Sequence, residues 1–125
     1  MKKFIVIAAL STLFLQQAAA YTWHIKNNNP TGTVRVKLDA VLRPDYQNEV
    51  KPGTEWPVDV KADCIRGVII EGITPPYVGQ SVTVAPPSTG CKGYTVEIGH
   101  RTNIETNKYT GITSQKDALV ANIFY

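Results

Sequence analysis

Residues able to act as a base or a nucleophile are few and scattered in this chain. The two histidines are His24 and His100. Ser81, Ser88 and Ser114 stand outside any G-x-S-x-G elbow, the context that would expose a serine as a nucleophile. A hydrolase needs a nucleophile, a base and an orienting group brought together. His24 or His100 would supply the base. Alternation places His24 between Thr22 and Lys26 on the polar face of one strand. His100 shares parity with Tyr94, Val96 and Ile98 near the end of another. The ordinary reading is a solvated strand histidine and a sheet-rim histidine.

Metal chemistry is equally sparse. There is no H-E-x-x-H and no calcium-binding loop signature. Asp59 and Asp63 fall on one face of a single strand, but four residues of strand separate them by about 13 Å. They read as a solvated acidic face. No metal and no cofactor is expected.

Cys64 and Cys91 are the two cysteines. An even count in an exported chain suggests a bridge. It would close a loop of 28 residues, worth roughly 3.5 kcal/mol in chain entropy. The alternative is a pair of free thiols. A bridged cysteine is no nucleophile, and the C-x-x-C spacing of a redox pair is absent.

Export itself is read from residues 1–20. Met1-Lys2-Lys3 is a short positive segment, Phe4 to Leu15 is apolar apart from Ser11 and Thr12, and Ala18-Ala19-Ala20 offers small residues at the cleavage positions. A membrane-spanning helix needs about 20 apolar residues, and this run has 12. The expectation is a cleavable signal peptide, a mature chain from Tyr21, and a periplasmic or extracellular location without membrane insertion. Loss of Lys2 and Lys3 lowers the formal charge from +3 to +1. No Lys/Arg block remains to track phosphates, so no nucleic-acid partner is expected.

The elements that must position these residues are strands. Tyr21, Trp23 and Ile25 alternate with polar residues, as do Val34, Val36, Leu38, Ala40 and Leu42. The turn-forming run Asn27–Gly32 lies between them, and a hairpin is expected. Arg43-Pro44-Asp45 breaks the second strand, and a polar stretch runs to the turn at Pro52-Gly53. Trp56, Val58 and Val60 alternate after it. Pro57 has no N–H for a ladder and marks that strand as an edge. Cys64–Ile73 is apolar on both faces around Val68-Ile69-Ile70, which predicts a central strand. Gly67 and Gly72 mark bulges or close backbone approach. Ser81–Val84, Tyr94–Ile98 and Ala118–Tyr125 complete the set, and residues 101–117 read as a mostly polar stretch with turn signals at Asn103, Asn107 and Gly111.

About seven strands at this spacing predict an all-β fold over residues 21–125, a single small antiparallel β-sandwich with one disulfide. It is immunoglobulin-like in strand count only. A small β-barrel is the alternative. The chain's aromatic end resembles the last strand of outer-membrane barrels, but the mature chain is too short for eight strands of about 10 residues plus turns.

Aromatics carry the functional expectation. Trp23, Trp56 and Tyr94 alternate in phase with aliphatics and are expected in the core. Tyr46 and Tyr77 sit in predicted loops near prolines, and loop tyrosines serve as ligand contacts. The chain is thus expected to be a non-enzymatic exported binding module, recognising a protein or a glycan through loops or a sheet edge. Two alternatives stand: a structural subunit of a surface assembly that pairs by strand addition, and a small secreted hydrolase.

Overall fold

The structure is a computed structural model and describes residues 21–125. The expected signal peptide lies outside the described residues. Eight strands follow in order: β1 (Tyr21–Asn27), β2 (Val34–Ala40), β3 (Tyr46–Val50), β4 (Glu55–Lys61), β5 (Ile65–Gly72), β6 (Ser81–Val84), β7 (Thr95–Thr106) and β8 (Thr113–Phe124). They form two four-stranded sheets, β4-β1-β7-β8 and β3-β2-β5-β6. All neighbouring strands are antiparallel except β1 and β7, which run parallel. The architecture is a sandwich, and the sheet does not close into a barrel.

Burial follows the period-2 alternation of the sequence. Trp23 and Ile25 of β1, Val58 and Val60 of β4, and Val96 and Ile98 of β7 turn inward from one sheet. Val34, Val36 and Leu38 of β2 and Ile65, Val68 and Ile70 of β5 meet them from the other. Trp23 stacks on Tyr94 with ring centroids 5.1 Å apart. Both are buried, whereas Trp56 only packs part of its surface against the core. Strand β5 lies between β2 and β6 as its two-sided apolar pattern requires, and Pro57 lies on the edge strand β4.

Three details depart from the sequence reading. First, β1 and β2 do not form a hairpin. Each has one apolar face to bury, and they place those faces against each other from opposite sheets. The connection between them is therefore a crossover, held by buried Asn27. Its Nδ2 donates to the carbonyls of Gly32 and Val50, both at 3.0 Å, and its Oδ1 accepts from the N–H of Asn29 at 3.2 Å. Second, the polar stretch before Lys51 contains the short edge strand β3. Its register is Leu38 opposite Tyr46 through Val34 opposite Val50. An edge strand with mostly exposed side chains shows no apolar alternation, so nothing in its pattern announces it. Third, the polar stretch 101–117 is mostly strand. β7 and β8 pair without interruption from Thr95 opposite Phe124 to Thr106 opposite Thr113.

Cys64 and Cys91 are bonded to each other. The bridge ties the residue before β5 to the loop between β6 and β7, where the Ile65 N–H also donates to the Gly90 carbonyl at 2.9 Å. Gly67 sits beside the register shift between Asp39 and Ala40 on β2. Gly72 has no room for a side chain because the backbone of Tyr77 lies against it.

Candidate functional site

Asp63 shows how the framework uses polar residues that the sequence leaves ambiguous. It does not share a strand face with Asp59. Strand β4 ends at Lys61, whose φ is +58°, and Asp63 folds inward in the turn that follows. Its carboxylate is buried. It accepts hydrogen bonds from the N–H groups of Leu42 and Arg43, each at 2.9 Å, and of Cys64 at 2.7 Å. Burial alone would raise its pKa. The three N–H donors and the nearby Arg43 charge outweigh that and hold it below the ordinary carboxylate value. Asp63 is a structural anion that pins the β2–β3 loop to the start of β5.

Tyr77 is likewise no surface residue. It is 1% exposed. The loop that carries it folds back over the end of the sandwich between β2 and β5. Its ring lies on Gly32, where an added Cβ would come within 2.6 Å of the ring. Its hydroxyl donates to Asn29 Oδ1 at 3.2 Å. The sequence pattern misses this because an isolated tyrosine in a proline-rich loop has no periodicity to show which way it faces. Burial, followed by the charge of Asp117, raises its pKa.

Tyr46 begins the edge strand β3 opposite Leu38 and is half-buried against the core. Tyr77 packs beside Val34's end of β2, so the two tyrosines sit at opposite ends of that strand. They do not form one surface, and Tyr77 cannot contact a ligand without leaving the core.

The histidines are also separated. His24 lies on the outer face of β1, where its Nδ1 is 3.6 Å from Glu55 and Lys26 is 3.8 Å from the same carboxylate. His100 lies on the inward parity of β7, at the rim. Its Nδ1 is 2.8 Å from Asn29 Oδ1. An amide oxygen only accepts, so His100 Nδ1 is the donor in this contact. The two rings thus occupy opposite faces of one sheet. Among the described residues, no serine or cysteine hydrogen-bonds either ring, and no three of His, Cys, Asp and Glu gather closely enough to hold a metal ion.

What the sequence reading overlooks is the distal half of the β7–β8 hairpin. Residues 101–116 are exposed without exception, on both faces of the two strands. This segment is an arm that leaves the sandwich. Asn107 and Gly111 build its tip: Gly111 N–H donates to the Asn107 carbonyl at 2.8 Å, and Asn107 Oδ1 accepts from the N–H groups of Tyr109 and Thr110 at 2.8 and 3.2 Å. Three apolar side chains stand in solvent on the arm: Ile104 is 66% exposed, Tyr109 97% and Ile112 65%. A shallow cleft beside the tip is lined by Glu105, Thr106, Asn107, Thr110, Ile112 and Ser114.

The arm is anchored at its base. Gln80 reaches across from the opposite sheet, donates from Nε2 to the Asp117 carbonyl at 2.9 Å and accepts at Oε1 from the N–H of Leu119 at 2.7 Å. Its side-chain amide thereby takes the place of a peptide unit on the outer edge of β8. Thr102 donates from its hydroxyl to Asp117 Oδ1 across the two strands at 2.9 Å. One signal in the sequence could have revealed the arm: Thr102, Ile104, Thr106 and Thr113 are β-branched residues at strand spacing, although none has a buried face to go with it.

Comparison of the chain with protein-family models, with curated proteins and with solved structures finds no match.

Proposed function

We propose that this protein is an exported, non-enzymatic binding module whose recognition element is the β7–β8 arm, and that its partner is a protein. The observation that carries this reading is the arm's complete exposure together with three outward apolar side chains at and near its tip. A two-stranded hairpin is marginal in water on its own. Ordering some 16 residues outside the core opposes folding by roughly 1–2 kcal/mol of backbone entropy per residue, and the sandwich core is complete without them. Such a structure is readily understood as one that a second surface completes. Isolated strands with exposed backbone suit protein partners, which can add main-chain hydrogen bonds and cover isoleucine and tyrosine at once. The loop tyrosines would serve a protein or a glycan alike, and the burial of Tyr77 removes it as a contact for either.

Export is part of the same reading. It is supported by the signal-like residues 1–20 and by the Cys64–Cys91 disulfide, which fits an oxidising compartment.

The test is a pair of baits that differ only in the arm. In one, residues 104–115 are replaced by an Asn-Gly turn. Both are exposed to the soluble contents of the compartment in which the protein resides, and bound protein is quantified by mass spectrometry. A partner retained by the full chain and lost by the trimmed one supports the reading. The same partner held equally by both overturns it.

A further inference from the structure

The arm has two long edges, and they are not equivalent. On its outer side, β8 is blunted: Gln80 occupies the backbone groups of Asp117 and Leu119, and Lys116 lies on the exposed strand just beyond. Lysine at a strand edge disfavours pairing. On the other side, β1 accompanies β7 only from Thr95 to Ile98. The last backbone hydrogen bond on that side is from the Asn28 N–H to the Ile98 carbonyl at 2.8 Å, and beyond it the Asn29 side chain still reaches the Gly99 carbonyl and His100 Nδ1. From there β7 continues to Thr106 with no strand beside it among the described residues.

The phase of that free edge follows from the hydrogen bonds at its base. The carbonyls of Tyr94 and Ile98 point toward β1. Backbone direction alternates along a strand, so Thr102, Ile104 and Thr106 present their N–H and C=O groups on that same edge. Arg101, Asn103 and Glu105 therefore share one face of the arm, and Thr102, Ile104 and Thr106 share the other.

We propose that the mature chain pairs with a second copy of itself through this edge, β7 against β7 in antiparallel register, with the two-fold axis at Asn103. This rests on the reading of the arm as the binding element and names its occupant. In this register Thr102 exchanges backbone hydrogen bonds with the partner's Ile104, and Ile104 with the partner's Thr102. Asn103 lies opposite its own copy, where each side-chain amide offers both a donor and an acceptor. Arg101 lies opposite the partner's Glu105, and Glu105 opposite the partner's Arg101. Both pairs occupy non-hydrogen-bonded positions, where facing side chains come closest. On the other face the two Ile104 side chains become diagonal neighbours.

Neighbouring registers lack this match. With the axis at Thr102, Glu105 faces the partner's Gly99. With the axis at Ile104, Arg101 faces the partner's Asn107. A β8-to-β8 pairing gives Lys116 no acidic residue on its face. Among these antiparallel pairings, charge complementarity thus selects one edge and one register. The product is a continuous four-stranded sheet, β8-β7-β7-β8, in which each marginal hairpin supports the other.

Sedimentation velocity on the oxidised mature chain, from low micromolar to near-millimolar concentration, tests this with charge reversals at exposed positions. The wild type is expected to show a reversible dimer. Arg101→Glu and Glu105→Arg each convert two attractive pairs to repulsive ones and are expected to weaken it about tenfold or more. Arg101→Glu/Glu105→Arg restores both pairs with exchanged polarity and is expected to dimerise again. An equimolar mixture of the two single variants also restores both pairs, and is expected to form a heterodimer. That last result separates lost pairing from lost folding. A wild type that stays monomeric overturns the proposal, as do open-ended association, dimers indifferent to single reversal, or a double variant that fails to recover. A monomeric wild type whose arm still captures a different protein would defeat self-pairing and leave the arm as the binding element.

Discussion

Replacing Tyr77 asks directly whether a proline-loop tyrosine is a ligand contact or a piece of the core. Tyr77 is 1% exposed, its ring lying against Gly32 and beside the ring of His100 and its backbone against Gly72. Removing a buried aromatic side chain of this size destabilises by about 3–5 kcal/mol. Tyr77→Ala is therefore expected to lower Tm by at least about 12 °C in a domain this small. Tyr77→Phe keeps the ring and removes only the hydroxyl that donates to Asn29 Oδ1. That oxygen still receives His100 Nδ1, so no buried acceptor is left bare, and the expected loss is about 0.5–1.5 kcal/mol. Urea unfolding followed by tryptophan fluorescence gives both numbers from the midpoints at unchanged slope. The reasoning is refuted if Tyr77→Ala falls within about 0.5 kcal/mol of wild type, the range of ordinary surface substitutions. The phenol adds a second readout. Its pKa is raised in the fold, so the native state holds a proton that the unfolded chain releases near pH 10. The associated stability is fully present below that pH and is lost as pH rises toward the folded value. Tyr77→Phe should flatten this alkaline decline.

Other consequences are open to similar measurement. Replacing both Cys64 and Cys91 by serine opens a bridge between residues 27 apart in sequence, which removes about 3.5 kcal/mol of chain-entropy stabilisation; a denaturant midpoint equal to that of the oxidised wild type would contradict this. Asp63 has its pKa depressed in the fold, so its contribution is present above the unfolded value of about 3.9 and is lost as pH falls through the lower folded value. Asp63→Asn should therefore be less stable near neutrality and should lose less on acidification, and parallel acid-unfolding curves would count against the cradle. Trimming residues 104–115 to an Asn-Gly turn removes only exposed residues together with the entropy of ordering them, so it is expected to leave stability unchanged or raised; a large loss would make the arm part of the fold's foundation.

The sandwich was legible wherever one strand face is buried. Val34, Val36 and Leu38 alternate with Arg35, Lys37 and Asp39 because the core accepts one face and water the other, and the two-sided apolar run in β5 marks a strand with a neighbour on each edge. Pro57 reveals an edge because it lacks a ladder donor. Legibility ends where burial stops dictating residue type. Strand β3 and the distal parts of β7 and β8 are polar on both faces, so their backbone pairing leaves no period-2 trace in apolar residues. Pairing partners are equally hidden: β1 and β2 have the pattern of a hairpin, and only the buried hydrogen bonds of Asn27 show that the chain crosses between sheets. At the candidate site the pattern misled in two ways. Tyr77 looks exposed because loops usually are, and Asp63 looks solvated because it continues a strand's parity one step past that strand's end. The arm was hidden for the same reason that it is of interest, since its side chains are not chosen to face a core of their own.

The most direct test of the arm as the binding element is site-specific photo-crosslinking from position 109. Tyr109 is 97% exposed at the tip, and Leu42, at 79% exposed in the β2–β3 loop, serves as a well-exposed control away from the arm. A photoreactive residue at each position, in the protein working in its own compartment, is irradiated and the adducts are sized and identified. A discrete protein adduct from position 109 that is absent from position 42 is the predicted result. An adduct from position 42 alone, or none from either, would contradict the account.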